Sequence, residues 1–176
     1  MDFEFDPEDE LFRQEVRAFI RDNLPSDIAA RNARNYHTNR ADTRRWTKIL
    51  NDRGWAAPSW PVEHGGTGWT LMRQFIFDQE CFAAGAPLLE AGGTKMIGPV
   101  IYTFGNEDQK ERFLKPYLRG EISWGQGFSE PNAGSDLASL TTAAVRDGDE
   151  YIVNGRKIWT TGGQYAHWLF CLVKTD

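Results

Sequence analysis

The sequence predicts an α+β protein, an all-α helical N-terminal domain followed by the opening strands of a β domain. Three observations carry that expectation. Apolar residues recur at helical spacing through residues 1–120. Composition changes after Gly120, toward Thr, Val and Ile. Two turn dipeptides, Asp147-Gly148 and Asn154-Gly155, then punctuate that tail at hairpin spacing.

Asp6-Pro7-Glu8-Asp9 predicts a helix start. Asp6 can cap free N–H groups, Pro7 suits the first helical position, and the acids favour the positive end of the dipole. Phe12, Val16, Phe19 and Ile20 follow on one face, and Leu24-Pro25 stops the run. A second helix is expected from Asn39 to Arg53, with Trp46, Ile49 and Leu50 apolar and Gly54 as its stop. Residues 55–69 read as a loop broken by Pro58, Pro61, Gly65, Gly66 and Gly68. Thr70 opens a helix to about Ala84, with Met72, Phe75, Ile76 and Phe82 as its apolar residues.

Met96, Ile97, Val100, Ile101 and Phe104 mark a further face ending at Gly105, with Pro99 in its first turn or kinking it. Asn106 and Gln109 have capping-box spacing before a helix carrying Phe113, Leu114, Tyr117 and Leu118, with a break expected near Pro116. Strands are then expected at Leu140–Arg146, Tyr151–Val153, Lys157–Thr161 and Trp168–Val173. A sheet stopping there would leave an open edge, so the chain reads as a fragment of something longer.

The composition is 40% hydrophobic and 13% aromatic, too apolar for a disordered chain. Net charge is −5, without a sustained basic run, which argues against nucleic acid as a partner. Cys81 and Cys171 lie far apart, which excludes a disulfide scaffold or cysteine zinc site and fits a reducing compartment. The acidic start has six acids among ten residues and resembles neither a signal nor a transit peptide. No apolar stretch is long enough to span a membrane. The expected location is cytoplasmic.

Several motifs fail. His37, His64 and His167 lack metal-ligand spacing. Gly125-Gln-Gly127 resembles a dinucleotide loop, but Glu130 stands in place of the third glycine and Pro131 spoils a helix start. Gly65-Gly-Thr-Gly68 and Gly92-Gly-Thr-Lys95 lack P-loop order and read as turns. The arginines between Arg31 and Arg53 are interrupted by Asp42 and Asp52 and read as surface.

The stretch from Gly125 to Asp136 differs. Ser129, Asn132, Ser135 and Asp136 lie beside backbone made pliable by Gly127 and Gly134, so several donors can converge on one electron-rich group. A polar connecting loop is the alternative. About 25 residues later come Trp159, Thr160 and Thr161. On a strand, Trp159 and Thr161 share a face, which can hold a flat heterocycle. The alternative is a core tryptophan beside a strand threonine.

Taken together, Ser129-Glu-Pro-Asn-Ala-Gly-Ser-Asp136 and Asn154-Gly-Arg-Lys-Ile-Trp-Thr-Thr-Gly162 strongly resemble the acyl-CoA dehydrogenase flavoproteins. Trp60-Pro-Val-Glu-His-Gly-Gly66 and Phe104-Gly-Asn-Glu-Asp-Gln109 resemble family segments in the same order. The resemblance implies residues 1–120 as the helical N-terminal domain and 121–176 as the beginning of a truncated middle β-barrel or sandwich domain. It implies FAD as cofactor, acyl-CoA as substrate, an electron-transfer acceptor, and a homo- or hetero-oligomer. The implied reaction takes the α proton to a carboxylate and the β hydride to flavin N5, giving a trans-2-enoyl-CoA. It implies flavin contacts from Gln126, Phe128, Ser129, Ser135, Trp159, Thr160 and Thr161, with Ser135 also meeting the acyl-CoA. Glu130 and Asp136 are implied as structural hydrogen-bonding groups. The base is expected downstream of Asp176, so no residue here is nominated as catalytic. A same-fold flavin oxidase or monooxygenase, and a catalytically silent partner subunit, remain alternatives. Ser129 where relatives often have Thr, and Asn132 where they often have Gly, are departures; the second could restrict the turn.

Overall fold

The computed structural model describes residues 5–34 and 39–175; His37, and Asp2 and Glu4 of the acidic start, lie outside them. The chain divides into two compact units, Met1–Glu121 and Ile122–Asp176.

The first unit is helical. Helix α1 spans Pro7–Asn23, with Asp6 accepting from the Asp9 N–H at 2.8 Å, and buries Phe12, Val16 and Ile20. Directly after Pro25 comes an unforeseen short helix, α2 (Ser26–Asn32), anchored by fully buried Ile28. Helix α3 (Arg40–Arg53) is capped by Asn39 and ended by Gly54 at φ 80°. The Arg31 guanidinium is not simple surface charge: it forks onto buried Asp42 of α3 at 2.7 and 2.8 Å. That charge-assisted pair ties α2 to α3.

Helix α4 (Leu71–Ala83) starts at Thr70, and Ile76, Phe77, Glu80 and Cys81 form its buried face. It packs on α1, whose Arg17 grips Glu80 at 2.8 and 3.0 Å. Of the apolar residues noted on it, Ile76 is buried but Met72, Phe75 and Phe82 are exposed. The helix is apolar on two sides, and α1 covers only one. An aromatic cluster fills the space beneath: Trp69 meets Phe12 at 4.9 Å and Trp55 at 5.2 Å, and Trp55 meets Phe19 at 4.7 Å.

Gly92–Lys95, read from sequence as a turn, belongs to a π-helical turn (Gly92–Ile97) that leads into α5 (Gly98–Phe104), with Pro99 in the first turn of α5. Close packing requires its glycines. A Cβ on Gly93 would sit 2.1 Å from the Tyr117 ring, and one on Gly98 would sit 2.3 Å from Trp60. Helix α6 (Glu107–Leu118) has the full capping box between Asn106 and Gln109. It runs through Pro116 rather than breaking there: the proline forgoes one backbone hydrogen bond, and burial of Leu114, Tyr117 and Leu118 holds the last turn.

The second unit holds two small sheets. Strand β1 (Trp124–Gly127) pairs in parallel with β4 (Trp168–Cys171), Trp124 opposite Trp168 and Gly127 opposite Cys171. Strands β2 (Ala143–Asp147) and β3 (Glu150–Asn154) form the antiparallel hairpin, turning at Gly148 with φ 62°. β1 was not legible as a strand. Conversely, the strand expected at Lys157–Thr161 does not form, and Asn154-Gly155 is not a second hairpin turn. Trp159 takes φ 56°, which breaks an extended run, and Thr160–Gly163 closes a turn instead. Gly155 serves packing, since a Cβ there would lie 2.2 Å from the Thr142 hydroxyl.

Candidate functional site

The site is built in the second unit, around the loop leaving β1. Gln126 lies on β1 opposite Phe170, half-buried. Phe128 packs edge-on against Phe170 at 5.4 Å. Gly127 allows β4 to approach, because a Cβ would meet the Cys171 sulfur at 2.5 Å. Glu130 and Ala133 exchange backbone hydrogen bonds at 2.7 and 3.1 Å, closing a tight turn around Pro131 and Asn132. Asn132 sits there without a positive φ, so its side chain does not restrict the turn. Gly127 and Gly134 likewise lack positive φ, so close approach at Gly127, and not unusual torsion, explains the glycine there.

Glu130 anchors this loop. It is 5% exposed, and one oxygen accepts from the Thr141 N–H and hydroxyl at 2.6 and 2.7 Å. The other accepts from the Thr142 N–H at 2.9 Å, the Thr142 hydroxyl, and Lys157 Nζ at 2.9 Å. The structural role expected of Glu130 is therefore met by five donors. The threonine hydrogen bonds, foremost that of Thr142, hold its carboxyl well below the usual carboxylate range. It is a fixed anion, unsuited to proton transfer near neutral pH.

The residues near Trp159 are joined to the loop by short tethers. The Ile158 N–H donates to the Ser129 carbonyl at 2.9 Å, and Lys157 Nζ to the Phe128 carbonyl at 3.0 Å. Trp159 is 85% exposed and is the one non-glycine residue at positive φ among those described. Such a conformation in a bulky residue is a frequent mark of a functional site. Thr160 is half-buried and Thr161 exposed. Ser129 is half-buried, while Ser135 is exposed two residues past Ala133. The fold thus joins Phe128 and Ser129 to the Lys157–Trp159 segment; Trp159 and Thr161 do not share a strand face. Sequence reasoning missed Lys157, Thr141 and Thr142, whose partners lie elsewhere in the chain.

An exposed indole plane one residue beyond the Ile158–Ser129 hydrogen bond suits a flat, polar-edged heterocycle. The residues present fit a flavin ring. Among the described residues, no group of three His, Cys, Asp or Glu is placed to hold a metal, and no helix is long and apolar enough to cross a membrane. Separately, the first unit has an open, largely apolar cavity of about 510 Å³ lined by Pro58, Phe75, Phe82 and Leu88, with Asp78 and Lys95 at its polar part. Burial pushes the Asp78 carboxyl up, and Lys95 opposes part of that shift.

Residues 6–121 match the family described as acyl-CoA dehydrogenase, N-terminal domain, and residues 125–176 match acyl-CoA dehydrogenase, middle domain. Over 173 residues the chain is 38% identical to acyl-CoA dehydrogenase IpdE1 of Mycobacterium tuberculosis, covering 95% of this chain and 45% of that protein. Its fold is similar to a chain of the ChsE4-ChsE5 complex from Mycobacterium tuberculosis, with a TM-score of 0.81 at 35% identity, covering 100% of this chain and 44% of that one. It is also similar to the Tcur3481-Tcur3483 steroid ACAD, with a TM-score of 0.83 at 36% identity, covering 100% and 45%. The chain spans less than half the length of these relatives.

Proposed function

We propose, from the premise that this chain belongs to the acyl-CoA dehydrogenase family, that the intact protein is an FAD-dependent oxidoreductase acting on an acyl-CoA thioester. The observation that carries the reading is Trp159, exposed in a left-handed conformation and tethered through Ile158 to Ser129. FAD, when bound, would accept the β hydride while a carboxylate base takes the α proton, the product being a trans-2-enoyl-CoA. Trp159 offers its ring as a stacking plane, with Thr160 and Thr161 beside it. Ser129 offers a hydroxyl and an N–H to the electron-rich edge of the flavin, where preorganised donors act on developing charge. Gln126 and Phe128 shape the same edge, and Ser135 contacts the acyl-CoA. The base is assigned to no residue of this chain.

Likeness to a steroid ACAD favours a bulky, ring-bearing acyl group. Likeness to the ChsE4-ChsE5 complex supports a second reading, in which the protein works as one partner of a two-subunit assembly.

The test is made on the intact protein. Trp159→Ala should lose FAD on purification. Ser129→Ala should slow flavin reduction by acyl-CoA, with about 10²- to 10³-fold as the scale for one lost donor. Full flavin content with an unchanged spectrum in Trp159→Ala, together with unchanged reduction in Ser129→Ala, refutes the assignment. Turnover only after mixing with a second subunit would establish the two-subunit reading.

A further inference from the structure

We propose that Lys157 is a positioning residue that fixes the register between the Phe128–Glu130 loop and Trp159, an inference that rests on the flavin reading above. Its side chain is only 10% exposed, and its ammonium has two acceptors: the Phe128 carbonyl at 3.0 Å and the Glu130 carboxylate at 2.9 Å. The next residue, Ile158, donates to the Ser129 carbonyl at 2.9 Å. Two consecutive residues therefore hold three consecutive residues of the loop, and Trp159 follows immediately. No strand ladder includes residues 155–161, so these tethers take the place of one.

Glu130 does not need Lys157 to be satisfied, because Thr141 and Thr142 already supply four donors. What the ammonium adds is the tie to the Phe128 carbonyl, whose position is set by β1 and the Phe170 ring. A non-glycine residue keeps a left-handed conformation only where its surroundings over-determine it. Lys157 and Ile158 are that surrounding for Trp159.

The test uses the chain labelled with 5-fluorotryptophan, with the Trp159 resonance assigned through Trp159→Phe. In Lys157→Met the Trp159 resonance should shift or broaden while those of Trp46 and Trp60 stay in place. The Ile158 amide should exchange at least about tenfold faster, the lower bound for losing a hydrogen bond to a charged group. Glu130→Gln, which leaves the Phe128 tie intact, should leave the Trp159 resonance near its parent position. The neutral double variant Glu130→Gln/Lys157→Met should behave as Lys157→Met does.

Restoration of the Trp159 signal in the double variant overturns the proposal, since Lys157 would then serve only to neutralise Glu130. An unchanged Trp159 signal in Lys157→Met overturns it too. So does joint loss of the β2–β3 hairpin amides, which would make Lys157 a support of the whole unit. These readouts need no flavin. Flavin retention by Trp159→Ala in the intact protein would defeat the flavin reading and leave the register result standing.

Discussion

Gly98→Ala tests whether the helical unit is packed as tightly as its glycines imply. The added Cβ would lie 2.3 Å from Trp60 Cζ2, 2.9 Å from Trp60 Cε2 and 2.6 Å from the Gly93 carbonyl oxygen. Neither neighbour yields easily. Trp60 is 3% exposed, donates to the Thr94 carbonyl at 2.7 Å, and stacks on Tyr117 at 6.0 Å. The Gly93 carbonyl belongs to the π-helical turn itself. Overpacking of this kind costs about 1–3 kcal/mol, and a clash with both a pinned ring and backbone belongs at the upper end. At roughly 3–6 °C per kcal/mol for a unit of this size, the midpoint should fall by roughly 10–20 °C. The assay is thermal unfolding followed by circular dichroism at 222 nm, where the helical unit dominates. Gly134→Ala is the control, because its Cβ meets nothing within 4 Å and its φ is not positive. That control should change stability by no more than about 0.5 kcal/mol. In a Trp60→Phe background the Gly98→Ala penalty should shrink, as expected for two side chains in contact. A Gly98→Ala midpoint within about 3 °C of the parent would refute the reasoning.

Glu130 gives an acid-limb prediction. Its folded pKa is depressed below the ordinary 4.5, so its stabilisation is complete above that value and is lost as pH falls from 4.5 through the depressed folded value. The Glu130 carboxyl carbon should keep its ionised ¹³C shift at about pH 3, and a midpoint near 4.5 would contradict the network. The thiols should also differ. Burial, helped by Asp78 and Glu80, pushes Cys81 up to about 12, while Cys171 is exposed. At about pH 8 one thiol of the native chain should react with a maleimide and the second only on unfolding; equal rates would show that the α1–α4 contact opens freely.

The starts of α1, α3, α4 and α6 were legible because their causes are local. Asp6, Asn39, Thr70 and Asn106 each cap within three residues of themselves, and Gly54 ends α3 by its own left-handed torsion. The β2–β3 hairpin is equally local, turning on Gly148. The motifs around Ser129 and Trp159 could be read as a pair through their resemblance to the family. Only the tertiary structure decided the rest. Which side of α4 is buried depends on where α1 lies, and the helix's own sequence is apolar on both sides. β1 exists because β4 returns alongside it from more distant sequence, and a parallel ladder leaves no short-range signature. Trp159 leaves the extended form because Lys157 and Ile158 bond to the 128–130 loop instead of to a neighbouring strand. A cap or a tight turn is satisfied by atoms a few bonds away, so residue identity determines it. A buried ion pair or a strained torsion is satisfied only by groups that folding brings from elsewhere in the chain.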